Sequence, residues 1–101
     1  MKIIINRVKR EDIAKFADRH KLVMEVNERS NPGLAKYYAH FRGVEVKSGS
    51  ILCGESGDGE TPEEAIADYA RRISGKVLVR GAFCEDRKEM IAPILTYRAT
   101  H

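Results

Sequence analysis

The chain has 101 residues, of which 43% are hydrophobic and 33% are charged, and its 18 Lys and Arg against 15 Asp and Glu give a formal net charge of +3. This composition excludes a disordered, charge-dominated chain, and the length allows one modest hydrophobic core. We therefore predict that residues 1–101 form a single domain. The longest apolar runs fall far short of the ~20 residues that cross a bilayer, and no signal-peptide pattern opens the chain, so we expect a cytoplasmic protein without membrane contacts.

The first third of the chain predicts a strand, a helix and a second strand. Ile3 and Ile5 alternate with their neighbours, which is typical of a short strand. An apolar stripe at helical spacing then indicates an amphipathic helix over residues 10–19 that lacks a good N-cap residue. Alternation over residues 22–26 predicts the next strand, and residues 30–33 have the composition of a turn.

Residues 36–46 carry the longest strand signal in the chain, with Tyr37, Ala39 and Phe41 on one face. After Gly43 the apolar residues move from odd to even positions. A shift of one residue at a glycine is typical of a β-bulge, so we predict a bend in this strand. Residues 47–50 favour a turn, and residues 51–53 can then pair back as a hairpin.

The second helix has the clearest local signals. Thr61 is a predicted N-cap, Pro62 suits the first helical position and Glu64 suits a capping box. Gly75 is placed for a left-handed residue after the last turn. The predicted buried stripe consists of Ile66, Tyr69, Ala70 and Ile73.

Two further strands are predicted over residues 76–80 and 90–97, and Pro93 should confine the latter to a sheet edge or divide it. The predicted order is β-α-β-β-β-α-β-β. This order indicates an α+β fold with a mainly antiparallel sheet and two helices on one of its faces.

Charge is distributed unevenly along the chain. Residues 1–47 carry a net charge of +5, residues 48–70 carry −6 without any Lys or Arg, and residues 71–101 carry +4. The acidic segment predicts a local acidic surface that could dock a basic partner protein. Helix capping combined with chance is the alternative explanation. The candidate protein-binding residues are Glu55, Asp58, Glu60, Glu63, Glu64 and Asp68.

Nucleic-acid binding is the main alternative function, because basic side chains flank the acidic segment on both sides. The candidate residues are Arg7, Lys9, Arg10, Arg71, Arg72 and Lys76. Gly54, Gly57 and Gly59 precede a helix, as phosphate-binding loops do, but the nearby carboxylates would repel a phosphate and no P-loop lysine follows. We interpret these glycines as a flexible loop.

The sequence offers no set of residues for catalysis, a cofactor or a metal. His20 and His40 lie on separate predicted elements, so no nucleophile and base converge. Cys53 and Cys84 match no zinc-site spacing and are predicted to be reduced and half-buried. We therefore expect a non-enzymatic protein that binds no cofactor or metal.

A first likeness is carried by Tyr37–Phe41, Ile51–Cys53 and residues 44–46, 57–70 and 73–76. Nearly the whole chain resembles small uncharacterised proteins of tailed bacteriophages and prophages. The strands of residues 36–53 and the helix start that follows them are more distantly similar to the HicB-like antitoxins, whose fold is a small sheet with a packed helix. The residues that carry this second likeness are Gly57, Asp58, Gly59, Thr61, Glu63, Glu64 and Ala65.

The phage resemblance implies an accessory protein that binds and modulates or inhibits a host protein in the bacterial cytoplasm, for example a defence complex such as CRISPR-Cas. The antitoxin resemblance implies a small regulatory protein. A second copy of the chain is a further candidate partner, because an exposed strand edge can mediate dimerisation.

Overall fold

A computed structural model describes residues 1–5 and 9–98 of the protein. These residues form an α+β fold, as predicted, with helices α1 (Ile13–His20) and α2 (Pro62–Ile73). The strands are β1 (Arg10–Asp12), β2 (Met24–Glu28), β3 (Tyr37–Phe41), β4 (Val44–Ser48), β5 (Ile51–Cys53), β6 (Gly57–Gly59), β7 (Val77–Arg80), β8 (Lys88–Ile91) and β9 (Ile94–Thr96).

The described strands form three small sheets. Strands β2, β3 and β6 form one antiparallel sheet in the order β2-β3-β6, and β5-β4-β7-β8 form a second antiparallel sheet. The third sheet is a parallel pair of β1 and β9, in which Glu11 lies opposite Leu95. Pairing is therefore mainly antiparallel, as predicted, but it is divided among more and shorter strands than the predicted order contains.

The predicted opening strand is wrong, because residues 1–5 belong to no strand and their apolar side chains are exposed. The first strand of the structure is β1, which occupies the predicted start of helix α1. The helix begins later because the Asp12 side chain accepts a hydrogen bond of 2.8 Å from the backbone N–H of Ala14. The prediction that this helix lacks a good N-cap residue is therefore wrong, because Asp12 is its N-cap.

The bend predicted at Gly43 is a turn between two strands. Gly43 has a φ of +68°, a conformation that favours glycine, and it lies in the turn at residues 42–43. Strand β3 ends before it in one sheet, and β4 begins after it in another. The apolar residues change from odd to even positions because Phe41 and Val44 point into the core from these two different sheets.

The predicted hairpin and the division at Pro93 are confirmed. Strands β4 and β5 pair antiparallel, with Val46 opposite Cys53. Pro93 separates β8, which pairs with β7, from β9, which pairs with β1. The loop predicted at residues 57–59 is wrong, because these residues form β6, which pairs with β3.

The hydrophobic core is formed by both helices together with strands of all three sheets. Three aromatic rings occupy its centre: Phe41 lies 6.3 Å from Phe16 and 5.4 Å from Tyr69, measured between ring centroids. Burial raises the pKa of Tyr69 to about 12. Neither described helix is long and apolar enough to cross a bilayer.

Candidate functional site

The start of α2 has the predicted capping residues, with one difference in their bonding. The N–H of Glu64 donates to Oγ1 of Thr61 at 3.1 Å, which confirms the N-cap. The Glu64 carboxylate accepts from the N–H of Glu60 at 3.0 Å, one residue before the donor of a standard capping box. Glu64 therefore helps to fix the turn that leads into the helix.

Strand β6 packs directly against the backbone of α2, and its glycines make this approach feasible. A Cβ at Gly57 would lie 2.1 Å from the backbone N of Tyr69 and 2.3 Å from the carbonyl O of Ala65, and a Cβ at Gly59 would lie 2.5 Å from the backbone N of Ala65. Real Cβ atoms do not approach other atoms so closely. The glycines therefore serve helix packing, and phosphate binding is not needed to explain them.

This close packing brings Asp58 of β6 next to Asp68 of α2. The N–H of Asp58 donates to Oδ2 of Asp68 at 2.8 Å. Nε of Arg72 lies 2.9 Å from the same oxygen, and Arg71 pairs with Oδ1 of Asp68. The Asp68 side chain is only 11% exposed, so its charge is neutralised within the protein.

Arg72 is the centre of this network of charges. Besides Asp68, its guanidinium reaches Glu55 at 3.5 Å and Asp58 at 3.7 Å. Burial alone lowers the pKa of Arg72, but the negative charges of Asp68, Asp58 and Glu55 outweigh this effect and raise it. Through these contacts Arg72 links the segment after β5, strand β6 and helix α2.

Arg29, which directly follows β2, is a second cation beside Asp58. Nη2 of Arg29 lies 2.8 Å from the buried Oδ1 of Asp58. The attraction is that of an ion pair, because the N–H is not directed at this oxygen. The Arg29 guanidinium also lies 4.6 Å from the centre of the Tyr38 ring and donates to the carbonyl of Ala35 at 3.1 Å.

The structure therefore divides the six predicted acidic residues into two groups. Glu55, Asp58 and Asp68 belong to the network of arginine ion pairs. Glu60, Glu63 and Glu64 are exposed at the start of α2, and no Lys or Arg of the described residues forms an ion pair with them. We call these three residues the acidic edge.

The predicted nucleic-acid-binding residues are also divided. Arg71 and Arg72 belong to the ion-pair network, and Arg7 lies outside the described residues. Lys9 and Arg10 line an open groove of about 630 Å³, and the exposed Lys76 follows Gly75 at the end of this groove. Arg19, also in the groove, is paired with Glu11 at 2.7 Å. Lys9, Arg10 and Lys76 form no ion pair with the described residues, so three of the predicted nucleic-acid-binding cations remain unpaired at this surface.

The described histidines, His20 and His40, and the two cysteines do not converge on a site. Burial and nearby cations lower the pKa of His20, whose ring packs 4.5 Å from that of Phe16. His40 lies 3.6 Å from Glu25, on the neighbouring strand. Cys53 and Cys84 are free, but both are exposed rather than half-buried as predicted. Within residues 1–5 and 9–98, no cluster of potential metal ligands occurs.

Arg29 is a partner of the acidic segment that was not predicted from the sequence. It lies far from Asp58 along the chain, and only the pairing of β3 with both β2 and β6 brings the two together. The glycines on either side of Asp58 were the available signal, since an alternating Gly-Asp-Gly strand indicates close backbone packing.

Comparison with family models, curated proteins and solved structures finds no match for this chain.

Proposed function

We propose that this protein is a non-enzymatic accessory protein of the phage type that binds a host protein through its acidic edge. The observation that carries the proposal is the exposure of Glu60, Glu63 and Glu64 without a cationic partner in the described chain, while the other acidic residues of the segment are paired. Unpaired surface charges of one sign steer and orient a partner of the opposite sign.

The partner that fits this surface is a protein with an exposed basic region. Proteins that hold nucleic acid have such regions, and the CRISPR effectors place their guide–target duplex in a positively charged channel. An acidic protein surface can compete for a basic channel of this kind. We therefore propose a bacterial defence complex as the target class, with inhibition as the consequence of binding.

A capture experiment with charge-reversed variants tests the proposal. Tagged protein is incubated with nuclease-treated bacterial lysate, and the retained proteins are compared between wild type and Glu60→Lys/Glu63→Lys. Neither of these side chains makes a hydrogen bond or ion pair with another described residue, so the substitutions remove no such contact from the described part of the fold. We expect the double variant to lose a partner that the wild type retains.

The matched control is Glu85→Lys/Asp86→Lys, which changes the net charge by the same amount at an exposed loop on another part of the chain. This variant should retain the partner. Equal capture by wild type and both variants would contradict the role of the acidic edge. A partner that the wild type captures from untreated lysate but not from nuclease-treated lysate would instead favour the alternative, a nucleic-acid-binding or antitoxin-like protein.

A further inference from the structure

The N-terminal segment, residues 1–5, presents an unusual apolar surface. Ile3, Ile4 and Ile5 are 70%, 73% and 77% exposed, and Met1 is fully exposed. Isoleucine is among the residues most enriched in strands, yet these residues pair with none of the described strands. The segment is therefore a strand-forming sequence that has no strand partner among the described residues of its own chain.

Strand β5 presents the complementary feature, an open sheet edge. It is the outermost strand of the sheet β5-β4-β7-β8. Its sequence, Ile-Leu-Cys, contains no charge, and Ile51 is 63% exposed. Proteins commonly protect such edges with charged residues or by covering them, and neither device is present at β5 in the described chain.

The other edges of the described sheets are protected. Strands β1, β2 and β8 contain charged residues, and β6 packs against α2. The second edge of β9 is covered by Ser74, whose Oγ accepts a hydrogen bond of 2.8 Å from the N–H of Leu95. Strand β5 is therefore the one uncharged, uncovered edge among them.

We propose that the N-terminal segment of one copy adds as a strand to β5 of a second copy, and that the exchange is reciprocal. A second copy fits this role because the same chain supplies both the unpaired strand and the open edge, as a two-fold symmetric interface requires. Reciprocal exchange buries two isoleucine-rich segments at once. Backbone hydrogen bonds along β5 set the pairing, and the apolar side chains supply the driving force.

Oligomeric state gives the first test. Sedimentation velocity should show a dimer for the wild-type protein. Ile3→Asp/Ile5→Asp should weaken it by about tenfold or more in Kd, because carboxylates would replace apolar side chains in the interface. Phe83→Asp is the control, since Phe83 is 94% exposed outside this segment and its replacement should leave the dimer intact. A wild-type monomer, or a dimer unaffected by Ile3→Asp/Ile5→Asp, would overturn the proposal.

Cross-linking to the native Cys53 tests whether the N-terminal segment of one copy lies beside β5 of the other. One chain carries a cysteine at position 3, 4 or 5, in turn, together with Cys53→Ser and Cys84→Ser. The other chain carries Cys84→Ser alone, so Cys53 is its single thiol. Because the two thiols lie on different chains, a disulfide formed on mild oxidation reports pairing between copies.

We expect at least one of the three positions to form the mixed disulfide rapidly. The control chain carries Phe83→Cys with Cys53→Ser and Cys84→Ser, and should form it slowly by random collision. A rate no greater than that of the control at all three positions would show that the segment does not occupy β5.

Discussion

The backbone N–H of Asp58 donates a 2.8 Å hydrogen bond to the carboxylate of Asp68, so an acidic residue of α2 holds strand β6 in place. The sequence groups both residues in one acidic segment, but their contacts differ from those of a docking surface. Asp68 binds a backbone donor and two arginines, and its side chain is nearly buried. Part of the segment's negative charge therefore stabilises the fold.

Replacement of Asp68 should destabilise the protein. Asp68→Ala removes the acceptor for the Asp58 N–H and leaves Arg72 without its nearest carboxylate, so we expect the free energy of unfolding to fall by about 2 kcal/mol. Urea denaturation measures the change. Glu63→Ala, at an exposed position without a partner in the described chain, should change it by less than about 0.5 kcal/mol. Equal effects of the two substitutions would contradict a structural role for Asp68.

The packing of β6 against α2 offers a second stability test. Gly57→Ala places a methyl group against the backbone of α2, 2.1 Å from the nitrogen of Tyr69. Because backbone atoms cannot move aside as a side chain does, we expect a loss of about 3 kcal/mol or more. Gly54→Ala is the matched control, since nothing lies within 4 Å of its added Cβ. A thermal melt that shows Gly57→Ala as stable as Gly54→Ala would refute the close packing.

The N-cap of α2 should contribute less to the free energy of unfolding than Asp68 or Gly57 does. Thr61→Ala removes the Oγ1 acceptor of the Glu64 N–H, and we expect a loss of about 1 kcal/mol in chemical denaturation. Thr61→Ser retains the hydroxyl and should recover most of this loss. The cap would be unimportant if serine and alanine were equally destabilising.

Acidification should destabilise the protein through His20. Burial, with the charges of Arg19, Lys88 and Arg80, lowers its pKa below the ordinary value of 6.5, and Glu11 offsets this only in part. Below pH 6.5 the unfolded chain therefore binds a proton at this position more readily than the folded chain does. The free energy of unfolding should fall as the pH is lowered through this range.

The comparison of wild type with His20→Gln isolates the contribution of His20 to the pH dependence of the free energy of unfolding. Between about pH 7 and pH 5 the variant should lose less stability than the wild type, because glutamine does not titrate in this range. An NMR titration gives the pKa of His20 directly. A value at or above 6.5 would contradict the burial effect.

Local signals predicted α2 and the strands that follow it well, because caps and turns act over a few residues. Thr61, Pro62 and Gly75 mark the bounds of α2, and Pro93 marks the division between β8 and β9. The predictions that were wrong depend on tertiary pairing. Strand β6 has little strand propensity and exists because its glycines let it lie between β3 and α2. Residues 1–5 have strand propensity but pair with none of the described strands.

The candidate site was predictable as a charged region but not in its internal organisation. The acidic segment is evident from the sequence, and the spacing of Asp68 and Arg72 indicates a helical ion pair. The division between paired and unpaired carboxylates depends on Arg72, which reaches Glu55 and Asp58 because the fold places both of them beside α2. Arg29 adds a further pair to Asp58, and sheet pairing brings these two residues together. Ile66, predicted to be buried, is only partly so, and Ile66→Ala should therefore cost less than substitution of a fully buried isoleucine.

The most direct test of the proposed function is the affinity of the captured host protein, once purified, for the wild type and for the two charge-reversed variants. Isothermal titration calorimetry should show at least about a tenfold higher Kd for Glu60→Lys/Glu63→Lys and an unchanged Kd for Glu85→Lys/Asp86→Lys. Affinity for the wild type should also fall as salt is added, since the attraction is between exposed charges. An equal Kd for all three proteins would contradict the claim that the acidic edge is the binding surface.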